Sequence, residues 1–282
     1  MIVTAFQDVM EIVNVTEQRP LEEFSSEYLP ALVASFLIFF AMMFFACPRL
    51  SAKYVPTYSR LSDFEKADWN TRISSNINAV IVSIVSVYLL VTDDAINADK
   101  IWGTSYLARV NICIISGFLL ADLVMMLRWF PLGDSWQYII HHFFVLYPFL
   151  NNVVYGALTF FANFRITTEC STLFVNIRWF MTILGHKSSK WYIANGTLMA
   201  VVFFLCRIIL IPVYYACVYQ EVAQAVASLP MRFIIAWLPS GMVMDVLNTY
   251  WFRKIYRGAK KALWGQSKPK GPPPIRNRVK GE

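Results

Sequence analysis

Charge is what this sequence has least of. Of its 282 residues only 15% are Asp, Glu, Lys or Arg, against 57% hydrophobic and 16% aromatic. Soluble domains carry roughly 25% charged residues, so the deficit excludes an ordinary water-soluble domain. Histidine is scarcer still, with His141, His142 and His186 the three in the chain. Cysteine is sparse and scattered: Cys47, Cys113, Cys170, Cys206 and Cys217 form no Cys-x-x-Cys pair. That spacing speaks against a zinc ribbon or a disulfide framework and is read as five buried thiols. No metal or redox cofactor is implied. No small-residue cleavage site marks a secretory signal, so the first apolar span is expected to target the chain as well as cross the bilayer.

What the sequence does have is long apolar runs. A hydrocarbon core of about 30 Å needs about 20 apolar residues in a helix. Seven stretches qualify as candidate spans: 29–46, 73–91, 104–127, 136–162, 166–184, 191–218 and 233–252. All are expected to be helical, because lipid offers no partner to a free backbone amide. The fold class is therefore all-α and integral to the membrane. Pro148 and Asn151-Asn152 interrupt the fourth span, which reads as one crossing broken there or as two half-helices like those of transporters.

The net charge of +7 is placed as membrane topology requires, not as nucleic-acid binding would. Arg49, Lys53, Arg60, Lys66 and Arg72 fall in one connection, Lys187 and Lys190 in another, and a dense basic run follows residue 252. With seven crossings these share one side, expected to be cytosolic. The acidic N-terminal segment and Asp93-Asp94 then share the other. The chain divides into a lumenal or extracellular segment 1–28, a first transmembrane helix 29–46, a cytosolic connector 47–68, a helical domain 69–258 and a tail 259–282. Ser62-Asp63-Phe64-Glu65 carries the pattern of a capping box and predicts a helix start near Asp63. Asn14-Val15-Thr16 is a sequon, so Asn14 is the candidate glycosylation site. The Pro/Gly-rich basic tail reads as disordered and as attractive to anionic head groups. Arg278 and Lys280 resemble a retrieval signal for the endoplasmic reticulum, and the plasma membrane is the other location considered.

Ionisable groups inside spans are costly and mark function or a buried pair. At 1.5 Å per residue, His141 and His142 come roughly 8 Å from the cytosolic end of the fourth span. Asp122 comes about 9 Å from the same side of the third, so an Asp–His contact is expected. Asn176 and Arg178 lie roughly 15–18 Å from the lumenal end of the fifth span. Arg207 and Asp245 share a depth of about 16–18 Å, which predicts an ion pair between the sixth and seventh. Glu169 reads as a solvated rim residue, and Arg109 and Arg165 as snorkelling to the interface. Adjacent helical residues point about 100° apart. One histidine can therefore face the interior while the other binds a carboxylate or a hydroxyl such as that of Tyr138. A neutral imidazole can act as base or nucleophile near neutral pH. Zinc lacks further ligands at workable spacing.

Five landmarks in fixed order now carry a resemblance: WNTRISS (69–75), His141-His142, TECSTLFVNIRWF (168–180), FFLCRI around Arg207, and LNTYWFRKIYRG (247–258), with Asn248 inside it. In these the chain resembles the TLC-domain family, which includes the ceramide synthases, and in particular its smaller members. The resemblance implies six helices around a cavity over residues 69–258, with 29–46 outside them. It implies that His141 and His142 match the synthases' catalytic pair, which moves a fatty acyl group from coenzyme A to a sphingoid amine. The synthases follow that pair with His-Asp, one residue, Ser and Asp. Here Thr168, Glu169, Cys170, Ser171 and Thr172 stand in those places: serine is kept, Asp becomes Glu, and Thr172 cannot ionise.

Three readings of function follow. The first is a protein that binds or handles a membrane lipid or acyl chain and contributes to lipid homeostasis. Asp122, Glu169, Asn176, Arg178, Arg207, Asp245 and Asn248 are its candidate lipid-binding residues. The second is an acyl-coenzyme A-dependent N-acyltransferase using His141 or His142. The third is a non-catalytic scaffold whose polar groups knit helices together. No nucleic acid is implied, and the sequence leaves the oligomeric state open.

Overall fold

The computed structural model describes residues 25–129 and 132–264. The sequon at Asn14, the acidic N-terminal residues up to Glu23 and the 265–282 tail lie outside the described residues. Every regular element among the described residues is helical. Among the described residues four helices are long and apolar enough to cross a membrane: α1 (Leu29–Tyr54), α2 (Asp63–Thr92), α4 (Tyr106–Trp129) and α8 (Lys190–Ser228). Between and after them run α3 (Asp94–Ala98), α5 (Leu132–Tyr155), α6 (Thr159–Ile166), α7 (Thr172–Ile183) and α9 (Met231–Trp264).

Local sequence explains how these helices begin and bend. Ser62 caps α2: its Oγ accepts from the Glu65 amide, while Glu65 Oε2 accepts from the Ser62 amide at 2.9 Å. Two π-helical turns, Met42–Ala46 in α1 and Phe204–Ile209 in α8, each lie just ahead of a proline, Pro48 and Pro212. Proline offers no amide to the carbonyl four residues back and crowds it. The helix opens there to a wider turn, a distortion frequent at functional sites. The second such turn carries Arg207 into the interior.

The fourth span departs from expectation. Helix α5 runs on through Pro148 to Tyr155. The chain turns instead at Gly156 (φ 72°) and Leu158 (φ 64°). Asn152 fastens this corner, donating to the Ala157 carbonyl at 2.7 Å and to Thr159 Oγ1 at 2.9 Å. Glycine enters the left-handed region without steric cost, whereas leucine does not. The corner also takes a hydrogen bond from the Leu158 amide to the Ile101 carbonyl at 2.7 Å. The next rod accordingly starts at Thr159, and a 3-10 turn at Thr167–Ser171 separates α6 from α7.

Helix α1 packs along α4. Phe39 meets Phe118 edge to face at 5.3 Å, and Ser35 Oγ donates to the Ile114 carbonyl at 2.8 Å. Gly117 permits that approach: a Cβ there would stand 2.5 Å from Ser35 Cβ and 2.6 Å from the Phe36 amide nitrogen. Backbone cannot yield as a flexible side chain does. Gly117→Leu is therefore expected to lower stability by about 1–3 kcal/mol and to make α1 preferentially accessible to protease, measured by limited digestion.

Deeper in the bundle, buried amides join the helices. Asn111 Nδ2 donates to Ser86 Oγ at 2.8 Å and Asn163 Oδ1 at 3.1 Å, tying α4 to α2 and α6. Arg109 is buried, donates to the Val153 carbonyl at 2.8 Å and lies 3.9 Å over the Tyr28 ring. It is an interior tie between α4 and α5, not a snorkelling side chain. The cysteines are also less uniform than expected: Cys47 and Cys113 are buried, but Cys170 is exposed and Cys206 and Cys217 are intermediate.

Candidate functional site

Between the helices lies a chamber of about 590 Å³. Phe64, Tyr138, Lys254 and Ile255 line it where α2 and α5 begin and α9 nears its end. Its deeper walls carry Asp68, Thr71, Arg72, Asp122, His141, His142, Glu169, Asn176 and Arg207. A second, apolar pocket of about 90 Å³ lies beyond, lined by Phe144, Pro148, Phe161, Phe233 and Trp237 among others. Ile115, Leu119, His141 and Glu169 line both spaces. His141 and Glu169, with Ile115 and Leu119, therefore border both a polar room and an apolar annex.

The two adjacent histidines have different environments. His142 is 4% exposed. Its Nδ1 stands 2.7 Å from the Tyr138 backbone carbonyl, one turn earlier on α5, and not at the Tyr138 hydroxyl. A carbonyl can only accept, so Nδ1 carries hydrogen. Its Nε2 lies 2.9 Å from Asp122 Oδ2 on α4. One proton is then shared between Nε2 and Oδ2, and the pair is neutral as a unit. The Asp–His contact expected from matched depth is present, with both nitrogens of His142 engaged. His141 points elsewhere, as the 100° step requires. Its ring stands 5.9 Å from that of Trp251, and its buried Nδ1 has no partner among the described residues. Asp122 Oδ1 and Thr71 Oγ1 are likewise buried and unpartnered among them.

The remaining charges are paired in an order that differs from expectation. Asp245 is joined by Arg165, not Arg207, through Nη1–Oδ1 at 2.5 Å and Nη2–Oδ2 at 3.0 Å. Arg165 also lies 3.7 Å over the Tyr214 ring, so it is a packed interior group and does not snorkel. Arg207 donates from Nε to Ser171 Oγ at 2.8 Å, from Nη1 to Asn248 Oδ1 at 2.9 Å and from Nη2 to Thr172 Oγ1 at 3.2 Å. Glu169 Oε1 is 3.6 Å from Nη2, which places Glu169 in the bundle and not on a solvated rim. One turn further along α7, Asn176 Oδ1 accepts from Arg72 at 2.9 Å, and Arg72 also donates to Asp68 at 2.7 Å.

Of the candidates read from sequence, His141, His142, Asp122, Glu169, Asn176 and Arg207 line the chamber, and Asn248 lines the apolar pocket. Asp245 lines neither. Nor does Arg178, which donates to the Tyr192 carbonyl at 3.0 Å and lies 3.9 Å over that ring. Gly196 makes room for it: a Cβ there would stand 2.1 Å from Arg178 Nη1. Sequence reasoning missed Thr71, Asp68 and Arg72. The last two are spaced i, i+4, a pairing signal that was available.

This arrangement can bind an amphiphile with its polar end in the chamber and its chain toward the annex. It is less prepared for acyl transfer. The histidine oriented by a carboxylate has no ring nitrogen left for a substrate, and the one with a nitrogen left has no orienting carboxylate. Among the described residues, no group of three or more His, Cys, Asp or Glu could hold a metal.

Comparison with known proteins identifies the bundle. The TLC domain matches residues 68–257. TLC domain-containing protein 4-A of Xenopus laevis is 38% identical over 244 residues, covering 86% of this chain and 94% of the relative. TLC domain-containing protein 4 of Homo sapiens is 37% identical over 232 residues, 81% and 88% of the two chains. Protein CLN8 of Canis lupus familiaris is 28% identical over 230 residues, 79% and 78%. No solved structure matches. With a match spanning more than half its length and relatives aligned over nearly all of theirs, the chain belongs to the TLC-domain family of membrane proteins.

Proposed function

We propose that this membrane protein binds a lipid between its helices and contributes to membrane lipid homeostasis. The observation that carries the reading is the junction at His141 and Glu169, where a charged chamber of about 590 Å³ meets an apolar pocket. A head group in the first and a chain entering the second would satisfy both surfaces. The scaffold reading fits this less well, because a scaffold needs its polar groups paired and its interior filled. Half-helices like those of transporters are not formed at Pro148: the turn is at Gly156–Leu158 and Asn152 is engaged in closing it.

In this reading seven crossings put the N-terminus and Asn14 in the lumen and the basic tail in the cytosol. The chamber's outer end, at Phe64 and Lys254, then faces the cytosol, and the endoplasmic reticulum is the membrane the tail favours. The acyltransferase alternative retains one supporting feature, the uncommitted nitrogen of His141. It would take acyl-coenzyme A from the cytosolic side.

The test is to purify the full chain, extract co-purifying lipid and quantify it by mass spectrometry. Wild type is expected to carry lipid in defined stoichiometry, and His141→Phe is expected to reduce it several-fold with melting temperature unchanged. Absence of co-purifying lipid, or the same lipid in both proteins, contradicts the proposal. Consumption of acyl-coenzyme A by wild type and not by His141→Phe selects the acyltransferase reading.

A further inference from the structure

The donor and acceptor inventory of the chamber narrows what head group it can hold. We infer that it takes a neutral, hydroxyl-bearing head, such as that of a partial glyceride, a fatty alcohol or a sterol, in preference to a phosphate or an ammonium. This rests on the lipid-binding reading and goes beyond it.

The ionisable groups of the walls neutralise one another. Arg72 is matched by Asp68 and Arg207 by Glu169. Asp122 and His142 share a proton across 2.9 Å. An anionic head would add a negative charge beside guanidinium groups whose charge Asp68 and Glu169 already balance. Arg207 already donates from Nε, Nη1 and Nη2 to Ser171, Asn248 and Thr172, so three of its five N–H groups are committed. Lys254 is the cation of the lining without a carboxylate partner among the described residues. It stands exposed at the outer end with Nζ 4.2 Å over the Tyr250 ring, where water competes for any phosphate. A cationic head meets the converse problem. Asp122 is the lining carboxylate with a fully buried oxygen left unpartnered among the described residues, and His142 already balances its charge. Bringing an uncompensated charge into a low-dielectric site is costly.

The chamber walls leave three buried polar atoms without partners among the described residues: Asp122 Oδ1, which accepts only, and Thr71 Oγ1 and His141 Nδ1. A hydroxyl supplies one donor and two lone pairs. It can donate to Asp122 or His141 and accept from Thr71 with no net charge moved. Leaving such atoms unmatched when buried costs about 1–3 kcal/mol each, so the ligand that matches them is favoured over one that does not.

Five probes separate the cases: monooleoylglycerol, oleyl alcohol, oleoyl lysophosphatidate and oleylamine, which share one 18-carbon chain, and cholesterol, which carries its hydroxyl on a rigid ring body. Each is titrated against the purified full chain in nanodiscs, and occupancy is read by native mass spectrometry. At least one neutral probe is expected to bind about tenfold or more tightly than both charged probes, about 1.4 kcal/mol. Comparing the glyceride, the alcohol and the sterol identifies the source of the hydroxyl. Thr71→Val and His141→Phe, which leave every charge pair intact, are each expected to weaken the neutral probe severalfold with melting temperature unchanged. Binding of lysophosphatidate or oleylamine as tight as that of the best neutral probe overturns the inference and leaves the lipid chamber standing. Neutral binding that neither substitution weakens overturns it as well. If none of the five binds, the lipid chamber itself falls.

Discussion

Asp245→Ala is expected to destabilise the protein by about 3–5 kcal/mol, the usual consequence of removing one partner of a buried ion pair. Asp245 receives both Nη atoms of Arg165, and the two side chains are 12% and 18% exposed. Arg165 is further enclosed by Tyr214, whose hydroxyl accepts from Trp237 Nε1 at 2.8 Å. Without Asp245 the guanidinium would stay buried with no countercharge. Desolvation decides the sign here, because the pair's attraction roughly offsets that penalty only while both partners are present. The double change Arg165→Met/Asp245→Leu removes both charges together and is expected to recover most of the loss. Denaturant unfolding in mixed micelles measures all three. Equal losses in the single and double variants would mean that packing, not charge, holds α6 to α9.

The second large effect divides the two histidines. His142→Ala is expected to cost several kcal/mol, because it leaves Asp122 buried without the group that shares its proton. His141→Ala is expected to change stability by less than about 1 kcal/mol, since no hydrogen bond of its ring is lost. Ligand occupancy should follow the opposite rule for His141, which faces both spaces. A single interhelical hydrogen bond in a membrane averages only about 0.6 kcal/mol. The Asn111–Asn163 contact should therefore sit far below both ion-pair variants in the same assay. If His141→Ala proved the more destabilising, the assignment of roles would be reversed.

Much of this was legible in the sequence, and the misses have physical causes. Composition and apolar run length gave the fold class, and the Ser62–Glu65 pattern located the start of α2. Matched depth placed Asp122 beside the histidines. Depth fixes height in the bundle but not which way a side chain faces, and so it misassigned Asp245. Arg165 was overlooked as its partner because the fifth span was begun one residue too late to include it. That error traces to the corner. Gly156 is a helix-ending glycine, but it sits in an apolar stretch, Val153 to Phe161, that reads as continuous span. The 3-10 turn at Thr167–Ser171 and the π turn around Arg207 could not be read from periodicity. Those two irregular turns bring Glu169, Ser171 and Arg207 together. The hollow itself is a property of packing, and no residue pattern announces its volume.

The proposed site puts a lipid inside the bundle with its chain in the apolar annex. The direct measurement is photo-crosslinking with a lipid carrying a diazirine at the end of its chain, followed by peptide mapping. Labelling concentrated on Phe144, Phe161 and Trp237, and lost when excess unlabelled lipid is added, is the predicted result. Labelling confined to outward-facing residues such as Val201, Leu205 and Val213, unaffected by competitor, would contradict it.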